Sequence, residues 1–121
     1  MVIAPVAHTP LDTYAWTAAR EDLDRQGWTM LPGLLDRAAC DEVAAWYGAP
    51  SRFRSRIVMA RHGFGQGEYQ YFAYPLPPLV ADLREALYPR LTPVAAAWSA
   101  RLGIEVGYPA THAAYVAECH A

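Results

Sequence analysis

The chain has 121 residues, a formal charge of −2 and ten basic residues, all of them arginine. That length suits one small domain or a piece of a larger one, and the charge balance excludes a general attraction to nucleic acid or anionic lipid. No run approaches the roughly 20 apolar residues of a membrane span, the first ten residues lack the basic start of a secretory leader, and two isolated cysteines read as reduced thiols, so a cytoplasmic protein is expected.

In chain order, Thr9 as N-cap and Pro10 as first helical residue predict a helix that Gln26 and Gly27 end. Leu11, Tyr14, Ala15, Ala18 and Leu23 fall at helical spacing within it. Residues 28 to 31 read as a short strand stopped by Pro32 and Gly33. Asp36 caps a second helix with a buried stripe of Cys40, Val43, Ala44 and Tyr47, and Gly48 fits the position just past its end. Cys40 and Cys119 read as small buried hydrophobes.

From residue 52 the period changes to two. Phe53, Ser55, Ile57 and Met59 alternate with Arg52, Arg54, Arg56 and Val58, a strand with one apolar and one arginine-rich face. The stretch RHGFGQGEYQYFAY, residues 61 to 74, then places Gly63, Gly65 and Gly67 before a β-prone run. A dinucleotide loop needs G-x-G-x-x-G leading into a helix, and a P-loop needs a lysine. The spacing here is G-x-G-x-G, no lysine exists, and a strand follows. The glycines therefore predict a turn that closes a β-hairpin.

Pro77 and Pro78 open a third helix with Leu79, Val80, Leu83 and Leu87 on one face. Pro89 is expected to kink or end it, Thr92 and Pro93 to restart it, and Gly103 to close it. Residues 104 to 106 read as a short extended piece, and a last helix starts near Thr111 with Tyr115, Val116 and Cys119. The fold class is thus α+β, helices plus a short antiparallel hairpin. Isolated hairpins are marginal, so the 121 residues are expected to form a single, incomplete domain.

Few residues stand out as chemistry. Tyr69 and Tyr71 share one side of their strand, where they would line a substrate pocket or simply pack against each other. Arg54 and Arg56, with Arg52, share a strand face fit to hold an anionic substrate or to pair with carboxylates. Arg61 and His62 sit at the turn, within reach of a ligand or open to water. His112, Cys119 and His120 lack the short spacings of a zinc site. Glu21 with Asp22 and Asp41 with Glu42 read as solvated helix faces, and no serine occupies a nucleophile elbow.

Two stretches carry a resemblance: GWTMLPGLLDRAACDEVAAWY at residues 27 to 47, and FRSRIVMARHGFGQGEYQYFAYPLPPLVADLREALYPRLTPVAAAW at residues 53 to 98. Together they resemble a prokaryotic, prolyl-hydroxylase-like branch of the Fe(II)- and 2-oxoglutarate-dependent oxygenases, over residues 14 to 119. The resemblance implies a double-stranded β-helix, a jelly roll, preceded by helices and accessory strands, of which this chain is the N-terminal accessory region. It implies Fe(II) held by two histidines and a carboxylate, marked by H-x-D and a later histidine. Here His8 is followed by Thr-Pro, His62 by Gly-Phe, His112 by Ala-Ala and His120 by the last residue. No catalytic or metal residue carries over, so Fe(II) and 2-oxoglutarate are expected for the full-length family and not for this chain alone. The implied function is the front part of a dioxygenase that hydroxylates an unknown substrate, inactive by itself, as a truncated gene or gene fragment. The alternatives are a non-catalytic helical binding module and one half of a split oxygenase. Its partners would be the missing catalytic half or a second copy, with no nucleic acid and no membrane.

Overall fold

The computed structural model describes residues 6–121, so part of the N-terminal stretch read above for a leader lies outside the described residues. A 3-10 turn at Leu11–Thr13 precedes helix α1, Trp16–Gln26. The helix expected to start at Pro10 therefore starts six residues later. Thr9 is engaged elsewhere: its hydroxyl donates to the Gly33 carbonyl at 2.7 Å and its N–H to Leu34 O at 2.8 Å. Gly27 ends α1 as anticipated, at φ 82°, where a side chain would be strained.

Residues 28 to 31 form no strand. Trp28 and Met30 stand well exposed, and no neighbouring strand takes their backbone groups. Helix α2, Arg37–Trp46, is capped by Asp36, whose carboxylate accepts the Ala39 N–H at 2.7 Å. Its buried face is Ala39 and Trp46, not the expected Cys40, Ala44 and Tyr47, which are exposed. Both cysteines are exposed, against the expectation of burial. The physical reason is Trp46, the largest apolar side chain on α2. Burying its area outweighs burying smaller neighbours, and it sits edge-on to Phe72 at 6.2 Å with the Arg52 guanidinium 5.0 Å over its ring.

Strands β1, Phe53–Val58, and β2, Glu68–Phe72, pair antiparallel and make the one sheet among the described residues. Partners run Val58 with Glu68, Ile57 with Tyr69, Arg56 with Gln70 and Ser55 with Tyr71. The next pair is Phe53 with Phe72, so β1 carries one extra residue, Arg54, as a bulge. The connection holds Gly63, Gly65 and Gly67 at positive φ, with Met59 N–H donating to Gly67 O at 2.9 Å. This is the turn the glycine spacing predicts.

Helix α3, Pro78–Arg101, runs unbroken through Pro89 and Pro93, where a break was expected. Both rings lie on exposed positions, and the Thr92 hydroxyl donates at 3.4 Å to the Pro89 carbonyl that Pro93 cannot serve. Gly103, at φ 73°, closes α3 in a Schellman motif: Ile104 N–H reaches Ser99 O at 2.9 Å and Gly103 N–H reaches Ala100 O at 3.1 Å. Residues 104 to 106 follow as unpaired, exposed chain rather than as a strand. Helix α4, His112–Cys119, starts where expected, with Thr111 accepting the Ala114 N–H.

Helix α3 is the organising element. At its end it meets α1 through Arg101 and Trp98 on Asp24, and from its middle Arg90 reaches Asp12 of the 3-10 turn and lies over the Trp16 ring of α1. On α4 it packs Tyr88 against Tyr115, with the Tyr88 hydroxyl on Pro109 O at 2.8 Å. The buried apolar residues among those described are few, Leu11, Ala19, Ala39, Trp46 and Leu79. The solvent-accessible surface is 8854 Å², whereas a compact monomer of 13.4 kDa exposes about 6,500 Å².

Candidate functional site

The bulge at Arg54 decides which side chains meet. Without it, Arg52, Arg54 and Arg56 would share one face, as strict alternation predicts. With it, the three separate. Arg52 lies over Trp46. Arg56 turns to the Glu68 side of the hairpin, and Arg54 turns to the tyrosine side.

On the first of these faces Arg56 is fully engaged. It donates twice to Glu68, at 2.5 and 2.7 Å, and Tyr47 donates to the same carboxylate at 2.9 Å. These bonds, Arg56 first and Tyr47 second, bring the Glu68 carboxyl down to about 2. Loss of water around Tyr47, then its bond to Glu68, pushes the Tyr47 phenol up. The Gln70 amide donates to Tyr47 O at 3.1 Å, which ties β2 to the end of α2. Arg56 is thus held in an ion pair with Glu68.

On the other face Tyr69 and Tyr71 meet edge to face, ring centres 5.5 Å apart. The Arg54 guanidinium lies 5.4 Å from the Tyr71 ring and 5.4 Å from the Tyr74 ring. Tyr74 belongs to the segment in which the chain leaves β2 and turns into α3. Arg84 of α3, first, and Arg54, second, hold its phenol below the usual tyrosine range. Arg84 in turn lies 3.5 Å from His112 of α4, whose ring is edge-on to Tyr88 at 5.7 Å. Arginines and aromatic rings thus neighbour one another from the hairpin towards α3 and α4. Tyr69, Tyr71 and Tyr74 are 41%, 47% and 63% exposed. Among the described residues, neither Arg54 nor Arg84 has a carboxylate within ion-pairing distance, unlike Arg25, Arg37, Arg56, Arg90 and Arg101.

Of the residues singled out in the sequence, the fold gathers Tyr69, Tyr71 and Arg54. It sets Arg56 on the opposite face and leaves His62 on the turn, stacked on Phe64 at 5.7 Å. Sequence reasoning missed Tyr74 and Arg84 as members of this cluster. A signal existed in the prolines at 75, 77 and 78, which separate β2 from α3 by only a few residues.

The described residues do not fit an iron site of two histidines and a carboxylate, for no three His, Cys, Asp or Glu side chains among them gather for a metal ion. A groove of about 600 Å³ lies between α2 and the start of α3, floored by Ala39, Trp46 and Leu79 with Arg52 at its edge. It shares no residue with the arginine and tyrosine cluster. No described helix is long and apolar enough to cross a membrane.

Residues 67–121 match the model of the family described as an oxygenase catalysing oxidative methylation of damaged DNA. That stretch, holding β2, α3 and α4, is related to an oxygenase family. Two curated relatives, uncharacterized proteins of Mycobacterium tuberculosis strains CDC 1551 and H37Rv, are each 42% identical over 50 residues, 41% of this chain and 22% of the relative. The chain spans about a fifth of the length of these relatives. No solved structure matches the chain.

Proposed function

We propose that this chain is the accessory, substrate-side region of an Fe(II)- and 2-oxoglutarate-dependent oxygenase, and that it does not turn over alone. The observation that carries the reading is the oxygenase-family match over residues 67–121. The resemblance of residues 27 to 47 to the entry segment of such enzymes supports it from the other half of the chain. The described residues supply no iron ligand set, so the metal and its cosubstrate belong to a segment that this region would accompany. When bound there, iron and 2-oxoglutarate would supply the oxidising chemistry. This chain's residues would orient the substrate through the arginine and tyrosine cluster. The matched family is described as acting on damaged DNA, which makes DNA the first substrate class to test.

Two measurements test the proposal. The 121-residue chain is incubated with Fe(II) and 2-oxoglutarate and succinate release is followed. No turnover is expected, and turnover would overturn the claim of inactivity. The genomic sequence around the coding region is then read in every frame for H-x-D followed by a distant histidine. Its presence in the same or an adjacent gene is expected. Its absence would sink the oxygenase reading in favour of a non-catalytic binding module.

A further inference from the structure

We propose that the outer edge of β2 pairs with the same edge of a second copy of this chain, antiparallel about a two-fold axis at Gln70, and so makes a four-stranded sheet.

The backbone of β2 shows which groups are free. Gly67 O accepts from Met59 N–H at 2.9 Å, and Ala73 N–H donates to Arg52 O at 2.8 Å. Both ends of the strand therefore bond β1. Backbone groups alternate in direction along an antiparallel strand, and β2 itself carries no extra residue. Tyr69 and Tyr71 thus turn their N–H and C=O groups to β1, while Glu68, Gln70 and Phe72 turn theirs outward. Among the described residues no hydrogen bond reaches the outward groups, and none of these three residues is buried. Such a row is a template for a further strand. The other edge of the sheet, along β1, is broken by the bulge at Arg54, a device that opposes regular pairing.

Self-complementarity points to a second copy as the occupant. A two-fold axis at Gln70 sets Gln70 opposite Gln70 and Glu68 opposite Phe72, which uses all three outward residues in about six ladder bonds. An axis at Tyr69 or Tyr71 leaves one of the three unpaired. With the axis at Gln70, Tyr69 of each copy lies opposite Tyr71 of the other, on the sheet face turned from α2. The edge-to-face pair already present in one copy then continues across the seam. No like charges meet, because Glu68 is held by Arg56 and Tyr47 and its neighbour across the seam is a phenylalanine. An unrelated extended segment would fill the backbone row and leave the tyrosine register unmatched. Two strands alone are marginal, and more give independent stability. The exposed surface also suffices: it exceeds that of a compact monomer by about 2,400 Å², against about 800 Å² per partner in a stable complex.

Sedimentation velocity of the full chain over rising concentration should show a monomer–dimer equilibrium that goes no further. Gln70→Pro deletes an outward N–H in each copy and spares every bond to β1, so the hairpin tolerates it. It should weaken dimerisation about tenfold or more. Gln70→Ala also removes the side-chain bond to Tyr47 O but keeps the N–H, and should dimerise within about threefold of wild type. A second measurement reads the register without disturbing the backbone. In a chain with Cys40→Ser and Cys119→Ser, Tyr69→Cys and Tyr71→Cys are made singly and oxidised alone or mixed. The mixture should cross-link, since those positions face each other at about 4.5 Å between Cα atoms. Each variant alone should not, since like positions lie about 8 Å apart, too far for a disulfide. A strict monomer at every concentration would overturn the proposal and leave the edge to a strand of another polypeptide. Growth beyond the dimer, equal association of Gln70→Pro and Gln70→Ala, or single variants cross-linking as well as the mixture would overturn it too.

Discussion

Glu68 is the residue with the sharpest physical signature. It accepts from Arg56 and Tyr47 at once, and its carboxyl falls from the ordinary 4.5 to about 2. A group depressed on folding stabilises the fold above its unfolded pKa and loses that contribution as pH drops through the folded one. Stability from Glu68 is thus complete above about pH 4.5 and fades towards pH 2. Urea midpoints measured from pH 6 down to about 2 should fall less steeply in Glu68→Gln than in the wild type. Some slope should persist, because Arg101 also holds the Asp24 carboxyl down. Equal slopes in both proteins would show that the Arg56 and Glu68 contact does not persist in solution. At this scale the sequence showed the right residue types and misjudged their company. Arg54 and Arg56 look equivalent as letters two apart, and a bulge becomes visible only when both strands are counted against each other. Tyr69 and Tyr71 were legible as a pair because period two is preserved on β2.

The elements divide into those fixed locally and those fixed by packing. Asp36 and Thr111 cap their helices, and Gly27 and Gly103 end theirs, as short-range chemistry requires. Local chemistry failed where a distant partner intervened. Thr9 was drawn to Gly33, and Trp46 turned α2 so that Cys40 faced water. The 24-residue length of α3 was illegible for the same reason. Two prolines argue for a break, while contacts with α1 at one end and α4 beyond the middle hold the helix together. Those prolines still cost stability. Proline in a helix interior is about 3 kcal/mol less favourable than alanine, and Pro89 is exposed with no packing role among the described contacts. Pro89→Ala should therefore raise the urea midpoint, by a stabilisation of up to about 3 kcal/mol offset in part by a looser unfolded chain. A lower midpoint would show that the ring is packed by something outside these residues.

The whole molecule is more open than its size requires. Its surface exceeds that of a compact monomer of equal mass by about 2,400 Å², and among the described residues five apolar side chains are well buried. Denaturant sensitivity scales with the area newly exposed on unfolding. The urea m-value of the isolated chain should fall clearly below that of ordinary domains of this length, and sedimentation should show concentration-dependent association through the uncovered surface. A full m-value and a strict monomer would mean that solution packing is tighter. The α+β class and the hairpin were legible in the sequence. The thinness of the core was not, since 54% hydrophobic residues suggest more burial than the fold achieves. The prolines of α3 carry one more consequence for the molecule. Positions 89 and 93 have no amide proton, and the Glu85 carbonyl has no helical donor opposite it. The ladder of exchangeable hydrogens is therefore interrupted between the turn bearing Arg84 and the turns bearing Trp98 and Arg101. In deuterated water the two halves of one helix should label at independent rates, the far half set by its grip on α1 and the near half by its packing on α4.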